Sequence, residues 1–232
     1  MNKSKREHQQ HLREQKQAAA RRKQQGWRYA LWGLGGILLL ALLMVLLDRF
    51  TGSGGGPDPV TARDHGKGSD KAGLTLVEYS DFQCPACRAQ NQVLQRAWPS
   101  IRFKARVVYR HFPLTSLHPH AMLAARYAEA AGQQGRFWEM HDLLFERQPE
   151  WSTSETAQVL FDGYARTLGL EMDRLQQDLA SDTVRDKVLA DMASGRKAGV
   201  RGTPTLYLNG ERLTSVRTPQ ALTAAIEAAR QP

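Results

Sequence analysis

77-VEYSDFQCPACRAQ-90 joins an apolar run, a turn and a helix start around Cys84 and Cys87, the only two cysteines of this 232-residue chain. A chain that keeps cysteine out of every other position is not using thiols as core filler, so the CxxC pair reads as working chemistry. Leu74 to Ser80 is short and apolar apart from Glu78, which predicts a buried strand. Asp81-Phe82-Gln83 turns the chain, and Cys87 to Trp98 has helical composition until Pro99 stops it. The pair therefore sits at a strand-to-helix junction. There Cys84 meets the unpaired N–H groups and positive end of the helix, which favour its thiolate, while Cys87 lies one turn in and is more buried. Pro85 suits the first helical turn, where its missing N–H has no partner to lose. One accessible low-pKa sulfur and one protected resolving sulfur are what thiol–disulfide exchange requires.

Three rival readings of the pair can be weighed on chemistry. An inert disulfide closing so short a loop would give little entropic stabilisation. A closed zinc site needs four ligands, and none of His111, His118, His120 and His141 stands at finger-like spacing from the two thiols. Covalent haem attachment needs histidine at position 88, which is Arg88.

Downstream, 102-RFKARVVYRHF-112 predicts a second strand, rich in β-branched and aromatic residues. His118 to Gly199 is largely helical in composition. Thr205 to Leu208 reads as a strand, Asn209-Gly210 as a hairpin turn, Glu211 to Leu213 as the returning strand, and Thr218 to Arg230 as a final helix with Thr218 as N-cap. The order is βαβ, a helical block, then ββα.

Upstream, 29-YALWGLGGILLLALLMVLL-47 is an apolar run whose roughly 19 residues at about 1.5 Å each match a bilayer's hydrocarbon thickness. It predicts a transmembrane helix. The formal net charge is +9, and residues 1–28 carry nine of the basic side chains against Glu7 and Glu14. By the positive-inside rule this tail is cytoplasmic and everything after Leu47 is extracytoplasmic. A cleaved signal peptide is disfavoured because Asp48-Arg49-Phe50 is a poor small-residue cleavage site. Nucleic-acid binding is disfavoured because the basic tail lacks interleaved aromatics or a groove-reading motif. Residues 48–73, rich in Gly, Ser, Pro and Asp, read as a flexible linker, and residues 74–232 as the folded domain.

The ordered set 77-VEYSDFQCPACRAQ-90, 109-YRHFPL-114, 118-HPHA-121, 136-RFWEMHDLLFE-146 and 199-GVRGTPTLYLNG-210 resembles the DsbA-like thiol:disulfide oxidoreductases of bacterial envelopes. The resemblance implies an α/β thioredoxin-like fold with a helical insertion at about 116–198. It implies that Glu78 lies beneath the pair and assists proton transfer to Cys87, where the residues alone also allow a solvent-facing Glu78. It implies a cis Thr203–Pro204 bond facing the CxxC, whose backbone pairs with an extended substrate segment. Pro85 and Ala86 tune the pair. Strongly oxidising members carry a histidine between the cysteines, so Ala86 predicts a less depressed Cys84 pKa and a milder potential. No cofactor is implied. The implied partners are unfolded or exported proteins, a quinone-linked membrane oxidase and, through the helix, membrane lipid. Reductase or isomerase work by a pair kept reduced, and a non-catalytic metal-binding envelope protein, are the alternative functions.

Overall fold

A computed structural model describes residues 32–44, 55–69 and 71–230. The chain divides into two units, Met1–Ser53 and Gly54–Pro232. In the first, residues 32–44 form helix α1, with every described side chain exposed. Among the described residues no helix is long and apolar enough to cross a membrane. Residues 29–31 and 45–47 of the expected span lie outside the described residues.

The second unit is built on a five-stranded sheet of order β1-β3-β2-β4-β5. Its strands are β1 (His65–Lys67), β2 (Leu74–Ser80), β3 (Ala105–His111), β4 (Thr205–Leu208) and β5 (Glu211–Leu213). β2 is central, parallel to β3 through the crossover helix α2 (Pro85–Ile101) and antiparallel to β4. A strand covered on both faces should be apolar on both, as the Leu-Val-rich β2 is. Leu76, Val107 and Leu206 pack with Leu94, Ile101, Leu222 and Ile226 of α2 and α9 (Pro219–Ala228). The opposite face presents Val77, Tyr79, Val108 and Tyr207. There Gly195 of α8 (Asp182–Lys197) lets the helix backbone close on the rings of Phe112 and Tyr79, 2.7 and 3.0 Å from where a Cβ would stand.

Between β3 and β4 run α3 (Ala121–Gly132), α4 (Phe137–Glu146), α5 (Gln148–Trp151), α6 (Ala157–Thr167), α7 (Met172–Ala180) and α8. This is the expected helical insertion. Its core of Tyr127, Phe145, Trp151 and Phe161 is continuous with Phe82, Cys84, Cys87 and Tyr109, so the insertion forms one wall around the cysteines. The C-terminal elements follow the sequence reading. Asn209 and Gly210 take positive φ of 49° and 89°, as a two-residue hairpin needs, and Thr218 accepts a hydrogen bond from the Ala221 N–H as N-cap.

Three expectations are corrected. α2 does not stop at Pro99 but runs on to Ile101, because a proline in the last exposed turn forfeits a single bond. The second strand is shorter than 102–112, spanning Ala105–His111. The stretch 48–73 is not wholly a linker. Its β1 pairs antiparallel with β3, His65 opposite Tyr109 and Lys67 opposite Val107. The Asp64 carboxylate accepts bonds of 3.0 and 3.1 Å from Arg110, whose remaining N–H groups reach Tyr79, Ser194 and the Pro59 carbonyl. A three-residue edge strand of sequence His-Gly-Lys carries no apolar alternation, so its composition reads as a tether.

That ion pair is almost fully buried, at 3% and 5% side-chain exposure. Removing one partner strands the other, at a cost of about 3 kcal/mol. Asp64→Ala should therefore lower the unfolding free energy of the folded unit, extrapolated from urea curves to water, by that order, whereas a tether residue would leave it unchanged.

Candidate active site

The turn between β2 and α2 is fixed by side-chain bonds before any chemistry is considered. Asp81 Oδ1 accepts from the Gln83 N–H at 2.8 Å, and Oδ2 accepts from the Leu114 N–H at 2.8 Å and meets His118 Nδ1 at 2.7 Å. Gln83 donates to the Ser152 carbonyl and accepts from the His120 N–H, at 2.6 and 2.7 Å. Gln148 Nε2 donates to the carbonyls of both Phe82 and Cys84, at 2.6 and 3.0 Å. Arg88 Nε reaches the Phe145 carbonyl at 3.1 Å. The loop before the cysteines is thus held by the insertion, through residues tens of positions away.

Cys84 is the N-cap of α2, with Pro85 in its first turn. Both cysteines are free thiols, Cys84 7% exposed and Cys87 fully buried. The Cys84 thiol is pushed down to about 5, chiefly because the Cys87 thiol donates to its thiolate; burial opposes this, and the Cys87 N–H, Thr203 and the Ala86 N–H assist. Cys87 is pushed well above the usual thiol value by burial first and by the Cys84 thiolate second. Ala86 acts through its backbone N–H alone, so most of the depression is set by helix position and by the second cysteine.

Glu78, on the strand that leads into the pair, is 3% exposed rather than facing solvent. Burial raises its carboxyl from 4.5 to about 7, and Ser80 pulls weakly the other way. Its register partner on β3 is Tyr109. Ser80 lies within reach of Glu78, Cys87 and Tyr109 and lowers the pKa of each, while Glu78 Oε1 makes no close hydrogen bond of its own.

The Thr203–Pro204 peptide bond is cis, and the Thr203 carbonyl faces Cys84 Sγ at 3.6 Å. Thr205 Oγ1 pins the loop by donating to the Gly202 carbonyl at 2.7 Å. The sequence-predicted residues Cys84, Cys87, Glu78, Pro85, Ala86, Thr203 and Pro204 thus converge on one site. The histidines do not join it as ligands. His118 orients Asp81, and His120 contributes its backbone N–H. His141 is buried against Asp142, with burial holding its pKa low. His111 shares the Glu129 carboxylate with His65, at 2.7 and 2.9 Å. Among the described residues the cluster with metal-ligand geometry is His111, Glu129 and Asp191, which includes neither cysteine. Lys187 already holds both Asp191 oxygens, at 2.7 and 2.6 Å.

Sequence reasoning missed Asp81, Gln83 and Gln148 as site residues. Asp81 carried a faint signal, since Asp before a helix bonds its own backbone two residues on. Gln148 carried none.

The buried carboxyl gives a signed pH dependence. A pKa raised on folding means that the folded chain binds the extra proton, so the Glu78 contribution to stability is present below about 4.5 and is lost as pH rises to about 7. Glu78→Gln should gain stability relative to the native chain across that window and hold a constant advantage above it. Parallel urea curves at pH 4.5, 6 and 8 check the sign.

The geometry agrees with what the chain resembles among known proteins. The family model described as Thioredoxin matches residues 61–228. A thioredoxin-like oxidoreductase from Silicibacter pomeroyi superposes with a TM-score of 0.64 at 28% identity, covering 74% of this chain and 95% of that one. Oxidised BdbD from Bacillus subtilis superposes at 0.66 and 21% identity, covering 75% and 96%, and alpha-DsbA1 from Wolbachia pipientis at 0.65 and 19%, covering 73% and 92%; these two share the fold. In sequence, 167 residues are 40% identical to part of the Na(+)/H(+) antiporter NhaA 1 of Salinispora arenicola, covering 72% of this chain and 25% of the antiporter. The chain spans about a quarter of the length of the curated relatives it matches, so antiporter activity stays with those proteins. With the family model matching residues 61–228, most of the chain, the chain belongs to the thioredoxin family, in the DsbA-like form of its fold.

Proposed function

We propose that this chain is a membrane-tethered thiol:disulfide oxidoreductase that introduces disulfides into exported proteins. The observation that carries the reading is the asymmetry of the pair, with Cys84 depressed to about 5 and Cys87 buried and raised. A thiolate as stable as Cys84 is a good leaving group, and stabilising the reduced form makes the disulfide a stronger oxidant.

Exchange follows in two displacements. A substrate thiolate attacks Cys84 Sγ, the Cys84–Cys87 bond breaks, and Cys87 leaves as a thiolate that takes a proton. Glu78, half-protonated near neutral pH, is the group on this face that can hold and give that proton. A second substrate thiolate then attacks the substrate sulfur of the mixed disulfide and releases the Cys84 thiolate. Two electrons now rest on the dithiol, and a quinone-linked membrane partner would remove them. During the first step the substrate segment lies along Thr203–Pro204 by main-chain bonding, with little demand on its sequence.

Tethering is supported by the all-round apolar surface of α1, where Leu38, Leu39 and Leu40 are 68%, 69% and 64% exposed. A helix of that composition is stable in lipid and costly in water. With the basic residues 1–28 before it, the catalytic unit would face outward, where disulfides persist.

Cys87→Ala removes the resolving sulfur and should accumulate mixed disulfides between Cys84 and cell-envelope proteins, seen in the membrane fraction on non-reducing gels and collapsed by dithiothreitol. Cys84→Ala should give none. Absence of adducts in both variants contradicts the exchange reading.

A further inference from the structure

Beside the redox pair, α2 and the first residues of β4 form one wall of a cleft of about 800 Å³, and the chain leaving β5 forms the other. It opens because β4 and β5 pair only from Leu206 with Leu213 onward, toward the hairpin turn. Past Leu213 the chain turns at Ser215, whose φ of 63° is left-handed, before Val216 packs into the core.

The polar complement of this cleft is one-sided. Arg212 and Arg217 line it, and no Asp or Glu does. Both arginines are exposed and, among the described residues, neither guanidinium is engaged in an ion pair. Gln90 lines the cleft from α2, is only 6% exposed, and leaves its Nε2 donor with no partner. A buried donor without an acceptor is costly unless a ligand supplies one. Two unpaired guanidinium groups and an orphaned amide N–H call for a carboxylate, the group that accepts several such bonds at once.

We infer that this cleft selects extended substrate segments carrying an aspartate or glutamate within a few residues of the reacting cysteine. The inference rests on the exchange reading above and adds a chemical preference to it. Backbone pairing along Thr203–Pro204 is indifferent to sequence, whereas the donor set beside it favours an acidic side chain. Substrates with lysine at the same place would meet like charge.

The test uses three cysteine peptides, identical except for Glu, Gln or Lys near the cysteine. Reduction of the disulfide form of the full chain by each peptide is timed at low ionic strength. Each rate is divided by that peptide's rate with a small-molecule disulfide, which cancels the effect of the flanking charge on the peptide thiol. One charge-assisted bond at a partly exposed site predicts about a tenfold advantage of Glu over Gln, and Lys should be slower still. The advantage should shrink at high salt. Arg212→Gln with Arg217→Gln should bring the Glu:Gln ratio close to one, while Arg102→Gln with Arg166→Gln, at the end of α2 and on α6, should leave it intact. Equal normalised rates for all three peptides overturn the acidic preference and leave exchange standing. A preference lost equally in both double variants overturns the cleft assignment in favour of net charge. No reaction with any peptide overturns the exchange reading itself.

Discussion

The start of α2 is the constraint from which the rest of the site follows. Cys84 must cap the helix for its sulfur to meet the Cys87 thiol and the N–H groups of Ala86 and Cys87. It must also lie where the Thr203 carbonyl can reach it. Neither condition is met by the local sequence alone, because a turn of Asp-Phe-Gln has several ways of leaving a strand. The chosen geometry is imposed by the Asp81 carboxylate from within the turn and by Gln148 from the helical insertion. The insertion is thus part of the site: it closes one side of the dithiol with a core that includes Phe145 and Trp151 and positions the loop that presents it.

The two cysteines differ because their surroundings differ. Burial acts on both in the same direction, raising the pKa of each. At Cys84 the donors outweigh it, whereas at Cys87 the nearby Cys84 thiolate adds to it. Stabilising one thiolate therefore destabilises the other, and the pair divides into a sulfur that ionises readily and one that keeps its proton. Glu78 belongs to the same balance. With no partner for Oε1, its carboxyl is governed by burial, which places its titration where a proton can be both held and released near neutral pH.

Much of this was legible in the sequence, and what was not has a physical reason. Glu78 could be singled out because it interrupts an apolar strand, but its burial was legible only through the family's motifs, since a lone acid on a strand can as well face solvent. The Asn209-Gly210 turn and the Thr218 cap were legible because turn and cap chemistry is local. Thr203–Pro204 was legible only through the ordered motifs of the family, since a proline before a strand does not declare its isomer. β1 was not legible, because its stability comes from Arg110 and from pairing with β3 rather than from its own side chains. Gln148 was invisible for the same reason: its partners lie 64 and 66 positions away, and a lone glutamine on a short helix has no spacing to betray it.

The account stands on the unequal acidity of two sulfurs three residues apart. Thiolate absorbance near 240 nm, followed against pH on the reduced chain and compared with Cys84→Ala, measures it directly. The structure predicts one titration with a midpoint near pH 5 that vanishes in the variant, and no second thiolate until strongly alkaline pH. A single step near the ordinary thiol value of about 8.5, or two thiolates appearing together, would contradict it.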